Sequence, residues 1–314
     1  MNELTPSSHP AAAPLPRKVA LVLSSGGARG YAHIGAIKAL HERGYTISSV
    51  AGASMGALIG GLYCAGQLDT ATTWFCQLKR REVLSLLDFS LSKSYLVKGD
   101  KVMRALKEMV PDTKIEELAT PFRAIASDLV TQREVVFSKG SLHRAIRSSI
   151  SMPSVFKPIK VAHHVLVDGG IVNPLPLNRA VRTEGDLLVS VNVSAPASED
   201  IEEVRDLARK RERERSSLLS LQRFISAFVP DSTTSNYMTL LSTAMALQIQ
   251  RNTVLMQKLT PPDIAINIPM NRFGVFDFDN AERIIRAGYA ETLKALDAFE
   301  KENERALSLT IAAR

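Results

Sequence analysis

Long apolar stretches, cysteine and aromatic residues are all scarce in this chain, and each scarcity excludes a class of protein. No run of eighteen apolar residues occurs, so we expect no membrane-spanning helix. The two cysteines, Cys64 and Cys76, give neither a disulfide framework nor the ligand spacing of a metal site. Aromatic residues make up 6% of the sequence, which disfavours a nucleic-acid binder built on base stacking. A globular protein of the reducing cytoplasm is the simplest expectation.

The net charge of +7 is modest for 314 residues, but basic residues cluster at 205–215. Acidic residues lie in or next to this cluster, among them Glu202, Glu203, Glu212 and Glu214. The mixture indicates a mixed-charge helix rather than a track for phosphates, so we expect no nucleic acid partner. An apolar stripe follows at Leu218, Leu221, Ile225 and Phe228. Residues 205–229 therefore form either an interfacial helix touching the inner membrane surface, or a solvated helix followed by one packed on the core.

Apolar runs alternate with segments of helical spacing, which predicts an α/β fold with a doubly wound sheet. We expect strands at 19–24, 47–53, 122–127, 134–138, 161–167, 187–193 and 263–269, and long helices at 29–42, 236–259 and 280–299. The Ala-, Pro- and Ser-rich residues 1–17 are expected to be a disordered extension without the pattern of a signal peptide. One domain would then span 18–300, with a helical insertion at about 197–258 and a tail at 301–314.

The segment Gly52-Ala53-Ser54-Met55-Gly56 matches the pattern G-x-S-x-G between an expected strand and an expected helix. A serine at such a turn is exposed above the sheet at a helix N-terminus, where developing negative charge is stabilised. Ser54 is therefore the candidate nucleophile. The alternative is a tight strand-to-helix turn packed with small residues.

A second glycine-rich turn, residues 25–30, directly follows the first expected strand. The backbone N–H groups of Gly26, Gly27 and Ala28 would be exposed at a helix start, as in an anion nest or an oxyanion hole. The spacing is neither that of a P-loop nor that of a dinucleotide-binding fold. Arg29 either assists an oxyanion or a phosphate, or is a helix-start arginine in solvent.

Asp168 ends an apolar run and precedes two glycines, so it is either a carboxylate facing a ligand crevice or part of an ordinary Asp-Gly turn. The positions of the histidines help to decide between these two interpretations. An α/β-hydrolase triad requires a histidine after the acid, yet all six histidines precede Asp168. If His163 and His164 lie in the strand that leads to Asp168, they sit too far from the end of that strand to be the obvious base. A dyad of Ser54 with Asp168 explains why the G-x-S-x-G turn is present although no histidine follows Asp168.

Jointly, these motifs resemble the patatin-like phospholipase family. Residues 26–30, 52–56 and 168–170 resemble its oxyanion loop, its nucleophile elbow and its catalytic aspartate motif, in that order. Residues 148–158 resemble its serine- and proline-bearing segment, and residues 274–292 resemble the tail of its bacterial branch. Many members carry Asp-Gly-Gly-Gly before the oxyanion arginine, whereas here Ser24 and Ser25 precede two glycines.

The resemblance implies a three-layer α/β/α fold with a mainly parallel central sheet, and a serine acyl hydrolase that needs no cofactor and no metal. Asp168 would activate Ser54 for attack on a fatty-acyl ester, such as a phospholipid or a lysophospholipid. The alternatives are an acyltransferase or thioesterase with the same dyad, and a regulatory binding module on a hydrolase scaffold. Five apolar residues either fill the core or line an acyl channel: Leu84, Leu86, Leu87, Phe89 and Leu91.

Overall fold

The computed structural model describes residues 17–88, 95–196 and 237–312. The expected N-terminal extension lies outside these ranges except for Arg17. The expected membrane-contacting segment, residues 205–229, also lies outside them. The part of the expected insertion that is described, from residue 237 onward, is helical as anticipated.

Eight of the ten strands in the described ranges form one central sheet, and the other two form a small parallel pair. The strands are β1 Lys18–Leu23, β2 Thr46–Ala53, β3 Tyr95–Val97, β4 Phe122–Asp128, β5 Arg133–Phe137, β6 Ser154–Phe156, β7 Ile159–Val161, β8 His164–Asp168, β9 Leu187–Ala195 and β10 Ile264–Pro269. Five of them run parallel in the order β10, β9, β1, β2, β4. Antiparallel pairings add β5, β8 and β7. The expectation of a mainly parallel central sheet is confirmed.

The helices follow the strands much as the apolar spacing predicts. They are α1 Ala32–Glu42, α2 Met55–Cys64, α3 Leu68–Gln77, α4 Arg80–Leu86, α5 Asp100–Met109, α6 Leu142–Ser149, α7 Tyr237–Leu259 and α8 Ala281–Ala312. The helix expected from residue 29 begins as a 3₁₀ turn, Gly27–Tyr31. Helix α8 continues beyond its expected end at residue 299, because no glycine or proline interrupts its second half. Not one of the described helices combines the length and the apolar character needed to cross a bilayer.

The central sheet separates two cores, because neighbouring residues of a strand point to opposite faces. Leu21 and Leu23 of β1 enter a large core to which α1, α2 and α8 contribute. Val22 enters a smaller core with Leu175, against which Met256 of α7 packs. Helices thus cover both faces of the sheet, which confirms the three-layer α/β/α architecture.

The single strand expected at 161–167 is a hairpin in the structure. Strands β7 and β8 pair antiparallel across a two-residue turn at Ala162 and His163. Ala162 has a φ of 49°, a conformation that glycine or asparagine usually supplies, so no turn signal marks this position in the sequence. As a result, Asp168 ends an antiparallel strand rather than one of the parallel strands.

Strands β2 and β8 pair with successive parts of the same edge of β4. This arrangement brings the carboxyl ends of β2 and β8 together. The other edge of β4 is occupied by β5. Along the shared edge, Ala53 of β2 lies opposite Ile125, and Asp168 of β8 lies opposite the next residue, Ala126. Ser54, which follows Ala53, therefore meets Asp168 near the carboxyl ends of the parallel strands.

Candidate active site

Ser54 occupies a strained turn between β2 and α2. Its φ is 53°, in the left-handed region that serine rarely adopts. Gly56 allows this close turn, since a Cβ at that position would lie 2.2 Å from the carbonyl oxygen of Leu23. The N–H of Ser54 donates to Ser149 Oγ over 2.8 Å, and that hydroxyl donates to the carbonyl of Ile125 over 2.5 Å. The serine expected as the nucleophile thus projects from a fixed backbone.

The carboxylate of Asp168 receives the hydroxyl of Ser54. Ser54 Oγ donates to Asp168 Oδ2 over 2.5 Å, and the N–H of Gly170 donates to Asp168 Oδ1 over 2.7 Å. The backbone of Asp168 is also held, because its N–H donates to the carbonyl of Ser151 and its carbonyl accepts from Ser127 Oγ. The structure therefore places the two residues expected to form the dyad in direct contact.

The surroundings of Asp168 change its acidity. Burial raises the pKa of its carboxyl from 3.8 to about 6, while the hydrogen bonds from Ser54 and Gly170 act in the opposite direction. With a pKa near 6, the group is ionised at neutral pH and has more affinity for a proton than an ordinary aspartate. Such a carboxylate can accept a proton from the serine hydroxyl.

Within the described ranges, no histidine hydrogen-bonds either member of this pair. His33 is fully buried, and its Nε2 lies 2.9 Å from the carbonyl oxygen of Ser24. Burial lowers the pKa of His33 to about 4, so the ring is neutral at physiological pH and Nε2 carries the donated proton. His164 is half exposed and hydrogen-bonds Asp128 instead of Asp168. These positions agree with the expectation that His164 is not the base.

The glycine-rich turn after β1 lines the same cavity as Ser54. Gly27 has a φ of 58°, and the N–H of Ala28 donates to the carbonyl of Val275 over 2.9 Å. In the part of the chain that the structure describes, the N–H groups of Gly26 and Gly27 find no acceptor. Of the three expected oxyanion donors, two are thus available, and the third is engaged by the loop that precedes α8.

The buried side chain of Arg29 stabilises this turn through hydrogen bonds. The residue is 4% exposed. Its Nε donates to the carbonyl of Gly26 over 3.1 Å, and its Nη1 donates to the carbonyl of Met270 over 3.0 Å. The alternative of a helix-start arginine in solvent is wrong, because the 3₁₀ turn directs the side chain towards the segment after β10.

A cavity of about 420 Å³ opens above Ser54 and Asp168. Its walls are mainly apolar, and most of their apolar residues come from three parts of the chain: Met152, Pro153 and Val155; Met245, Ala246 and Ile249 of α7; and Val275 and Phe276. A volume of this size suits a small ligand or part of an acyl chain. The described members of the apolar group singled out in the sequence, Leu84, Leu86 and Leu87, do not line it.

The sequence does not predict that these residues form a cavity wall, although it carries one signal. Met245 and Ile249 are four residues apart and share one face of α7. Their pairing with the distant loop at Val275 and Phe276 depends on the folded chain and has no local signature.

Sequence comparisons identify the family. A family model described as patatin-like phospholipase matches residues 21–181, about half of the chain. This chain belongs to the patatin-like phospholipase family. The matched part of this patatin-like chain contains Ser54, Asp168 and the glycine-rich turn.

Relatives of this patatin-like chain include both bacterial and insect proteins. An uncharacterized NTE family protein of Mycobacterium tuberculosis is 45% identical over 177 residues, which make up 56% of this chain and 49% of the relative. The neuropathy target esterase sws of Drosophila melanogaster is 31% identical over 189 residues, which make up 58% of this chain and 13% of that protein. The chain thus spans about half the length of the mycobacterial relatives it matches. Among solved structures, VipD from Legionella pneumophila superposes with a TM-score of 0.45 at 16% identity, covering 92% of this chain and 68% of that one.

Proposed function

We propose that this protein is a serine lipid acyl hydrolase, a phospholipase, lysophospholipase or esterase, that acts through Ser54 and Asp168. The observation that carries the proposal is the 2.5 Å hydrogen bond from Ser54 Oγ to Asp168 Oδ2, at a strained turn facing a largely apolar cavity. Membership of the patatin-like phospholipase family supports the same reaction class.

In the proposed first step, Asp168 Oδ2 takes the hydroxyl proton while Ser54 Oγ attacks the ester carbonyl carbon. The carbonyl oxygen becomes an oxyanion, which the N–H groups of Gly26 and Gly27 stabilise. Arg29 acts indirectly by holding the carbonyl of Gly26. The carbon–oxygen bond to the leaving alcohol then breaks, and Asp168 returns the proton to that alcohol. The product is an acyl group on Ser54, which water removes in a second step.

The cavity supports an acyl chain as the part of the substrate that is bound. Two methionines, Met152 and Met245, belong to its wall, and their flexible side chains can adapt to chains of different shape. Phe276 is half exposed at the cavity, where it can contact the incoming lipid. We also propose that residues 205–229, which lie outside the described ranges, contact a membrane surface from which the lipid is taken.

The experiment that tests this function is hydrolysis of a short-chain p-nitrophenyl ester and of lysophosphatidylcholine by the wild type, Ser54→Ala and Asp168→Asn. We expect both variants to lose at least about a thousandfold in kcat, because each removes a member of the reacting pair. Ser190→Ala is the matched control, since it removes an equally buried hydroxyl from β9, outside the cavity. Wild-type-like turnover by Ser54→Ala would refute the proposal.

A wild type without turnover would be examined with a fluorophosphonate probe. Labelling at Ser54 would show a competent nucleophile that lacks its substrate. Absence of labelling would favour the alternative of a regulatory binding module. Transfer of the acyl group to an added alcohol in preference to water would favour the acyltransferase alternative.

A further inference from the structure

Ser25 carries a buried hydroxyl that no described residue satisfies. Its backbone is fully engaged: the N–H donates to the carbonyl of Pro174 over 2.8 Å, and the carbonyl accepts from Ser24 Oγ and Ser194 Oγ, each over 3.2 Å. The residue is 3% exposed, and its Oγ has no hydrogen-bond partner within the described ranges. Because buried hydroxyls are nearly always paired, one that lines the cavity is available to a bound molecule.

The hydroxyl of Ser25 converges with the dyad over Gly170. A Cβ placed on Gly170 would lie 2.6 Å from Ser25 Oγ and 3.0 Å from Asp168 Oδ1. Ser25 Oγ and Asp168 Oδ1 therefore lie against the same side of Gly170, close enough for one water molecule to bond to both. Asp168 Oδ1 accepts one hydrogen bond, from the N–H of Gly170, and a carboxylate oxygen can accept a second. A water molecule in the adjoining cavity, which Ser25, Asp168 and Gly170 line, would have these two oxygen atoms as partners.

We propose that Ser25 is a further catalytic residue, whose hydroxyl holds the water that hydrolyses the acyl-enzyme. This inference rests on the proposed function and specifies its second step. Ser25 Oγ hydrogen-bonds the water oxygen, and the Asp168 carboxylate accepts one of its protons. The water oxygen attacks the acyl carbon, the bond from that carbon to Ser54 Oγ breaks, and Asp168 returns the proton to Ser54 Oγ. The products are a free fatty acid and the original serine.

The two reaction steps depend on Ser25 to different extents. In the first step the nucleophile is Ser54 itself, which Asp168 already holds, so the Ser25 hydroxyl is not required. In the second step the nucleophile is a water molecule that needs its own binding group. Loss of the Ser25 hydroxyl should therefore slow removal of the acyl group and leave its formation unchanged.

The test compares the wild type with Ser25→Ala and Ser190→Ala in rapid-mixing experiments on a p-nitrophenyl ester. Ser190 is a matched control because its hydroxyl is also buried and has no described partner, but lies outside the cavity. We expect Ser25→Ala to release a first equivalent of p-nitrophenol at the wild-type rate and then to turn over about tenfold more slowly. Mass spectrometry should show the acyl group accumulating on Ser54. The Ser190→Ala variant should behave as the wild type.

Two outcomes would overturn the role of Ser25. Equal slowing of acyl-group formation and removal would show that the hydroxyl stabilises the oxyanion or only supports the structure. Unchanged kinetics would show that the hydroxyl is not used. A wild type that neither releases p-nitrophenol nor is labelled at Ser54 by a fluorophosphonate would instead refute the proposed function itself, so the two failures can be told apart.

Discussion

Two turns form the proposed site, and they are held in place by different parts of the chain. The elbow at Ser54 is fastened by Ser149 and Asp168, both from the middle of the sequence. The glycine-rich turn is fastened mainly by the C-terminal half: Arg29 reaches the carbonyl of Met270, and the N–H of Ala28 reaches that of Val275. The proposed nucleophile and the proposed oxyanion donors thus belong to one cavity, but different hydrogen bonds hold them.

The family match follows the same division. Residues 21–181 include every partner of the elbow named above, whereas Met270 and Val275 lie beyond them. The elbow can therefore be recognised together with its supports. The glycine-rich turn is recognised without two of the residues that hold it, because Met270 and Val275 lie outside the match, whereas Pro174, which accepts the N–H of Ser25, lies inside it.

The largest effect on stability and activity is expected from a substitution at Gly56, where the elbow passes close to β1. In Gly56→Ala the new Cβ would lie 2.2 Å from the carbonyl oxygen of Leu23, part of a central strand that cannot move. We expect a loss of about 3 kcal/mol in the free energy of unfolding, measured by urea denaturation, and of most activity. Gly61→Ala is the matched control in the same helix, because its Cβ would meet the flexible end of Ile146 at 2.9 Å. Similar losses in both variants would show that the close approach at Gly56 is not decisive.

A smaller effect is expected from Ser149→Ala, which releases the elbow without adding atoms. The N–H of Ser54 would lose its acceptor, and the strained turn could relax away from Asp168. We expect kcat to fall about thirtyfold, with KM nearly unchanged, in ester hydrolysis assays. Ser148→Ala removes the adjacent buried hydroxyl, whose one acceptor among the described residues is the carbonyl of Arg144 in its own helix, and should retain activity. Equal effects of the two substitutions would mean that Ser149 does not position the nucleophile.

The pH dependence should belong to the elbow alone. Because the ionised form of Asp168 is the proposed base and its pKa is about 6, kcat/KM should be constant above that pH and fall about tenfold per pH unit below it. The hydrogen bond from Ser54 lowers this pKa, so Ser149→Ala, which loosens that bond, should move the acidic limb to higher pH. A pH–rate profile of each protein gives the answer. A profile without an inflection between pH 5 and pH 7, roughly one unit on either side of that pKa, would contradict the assignment of Asp168 as the base.

The same division explains which parts of the fold and of the site could be predicted from the sequence. Ser54 and the glycine-rich turn directly follow strands and carry local signals, so their elements could be predicted. The contact between Asp168 and Ser54 could also be predicted, although the expected single strand is a hairpin, because the absence of a late histidine favours a Ser–Asp dyad. The roles of Ser149 and Val275 could not be predicted, since they depend on hydrogen bonds between residues that are about 95 positions apart or more. A buried serine and a loop carbonyl have no pattern of their own in a single sequence.

The smallest of these effects is expected on the glycine-rich turn, from Arg29→Lys. The guanidinium spans the carbonyls of Gly26 and Met270, whereas a single ammonium group can reach one of them. The turn would keep its fold but lose the link that aligns its N–H groups, so kcat/KM should fall about threefold to tenfold. The acidic limb of the pH–rate profile near pH 6 should stay in place, because burial, Ser54 and Gly170 determine the pKa of Asp168. Arg43→Lys, at the exposed end of α1, is the control and should leave activity intact. A shift of the limb in Arg29→Lys would show that the two turns are coupled, and that the division between them is not real.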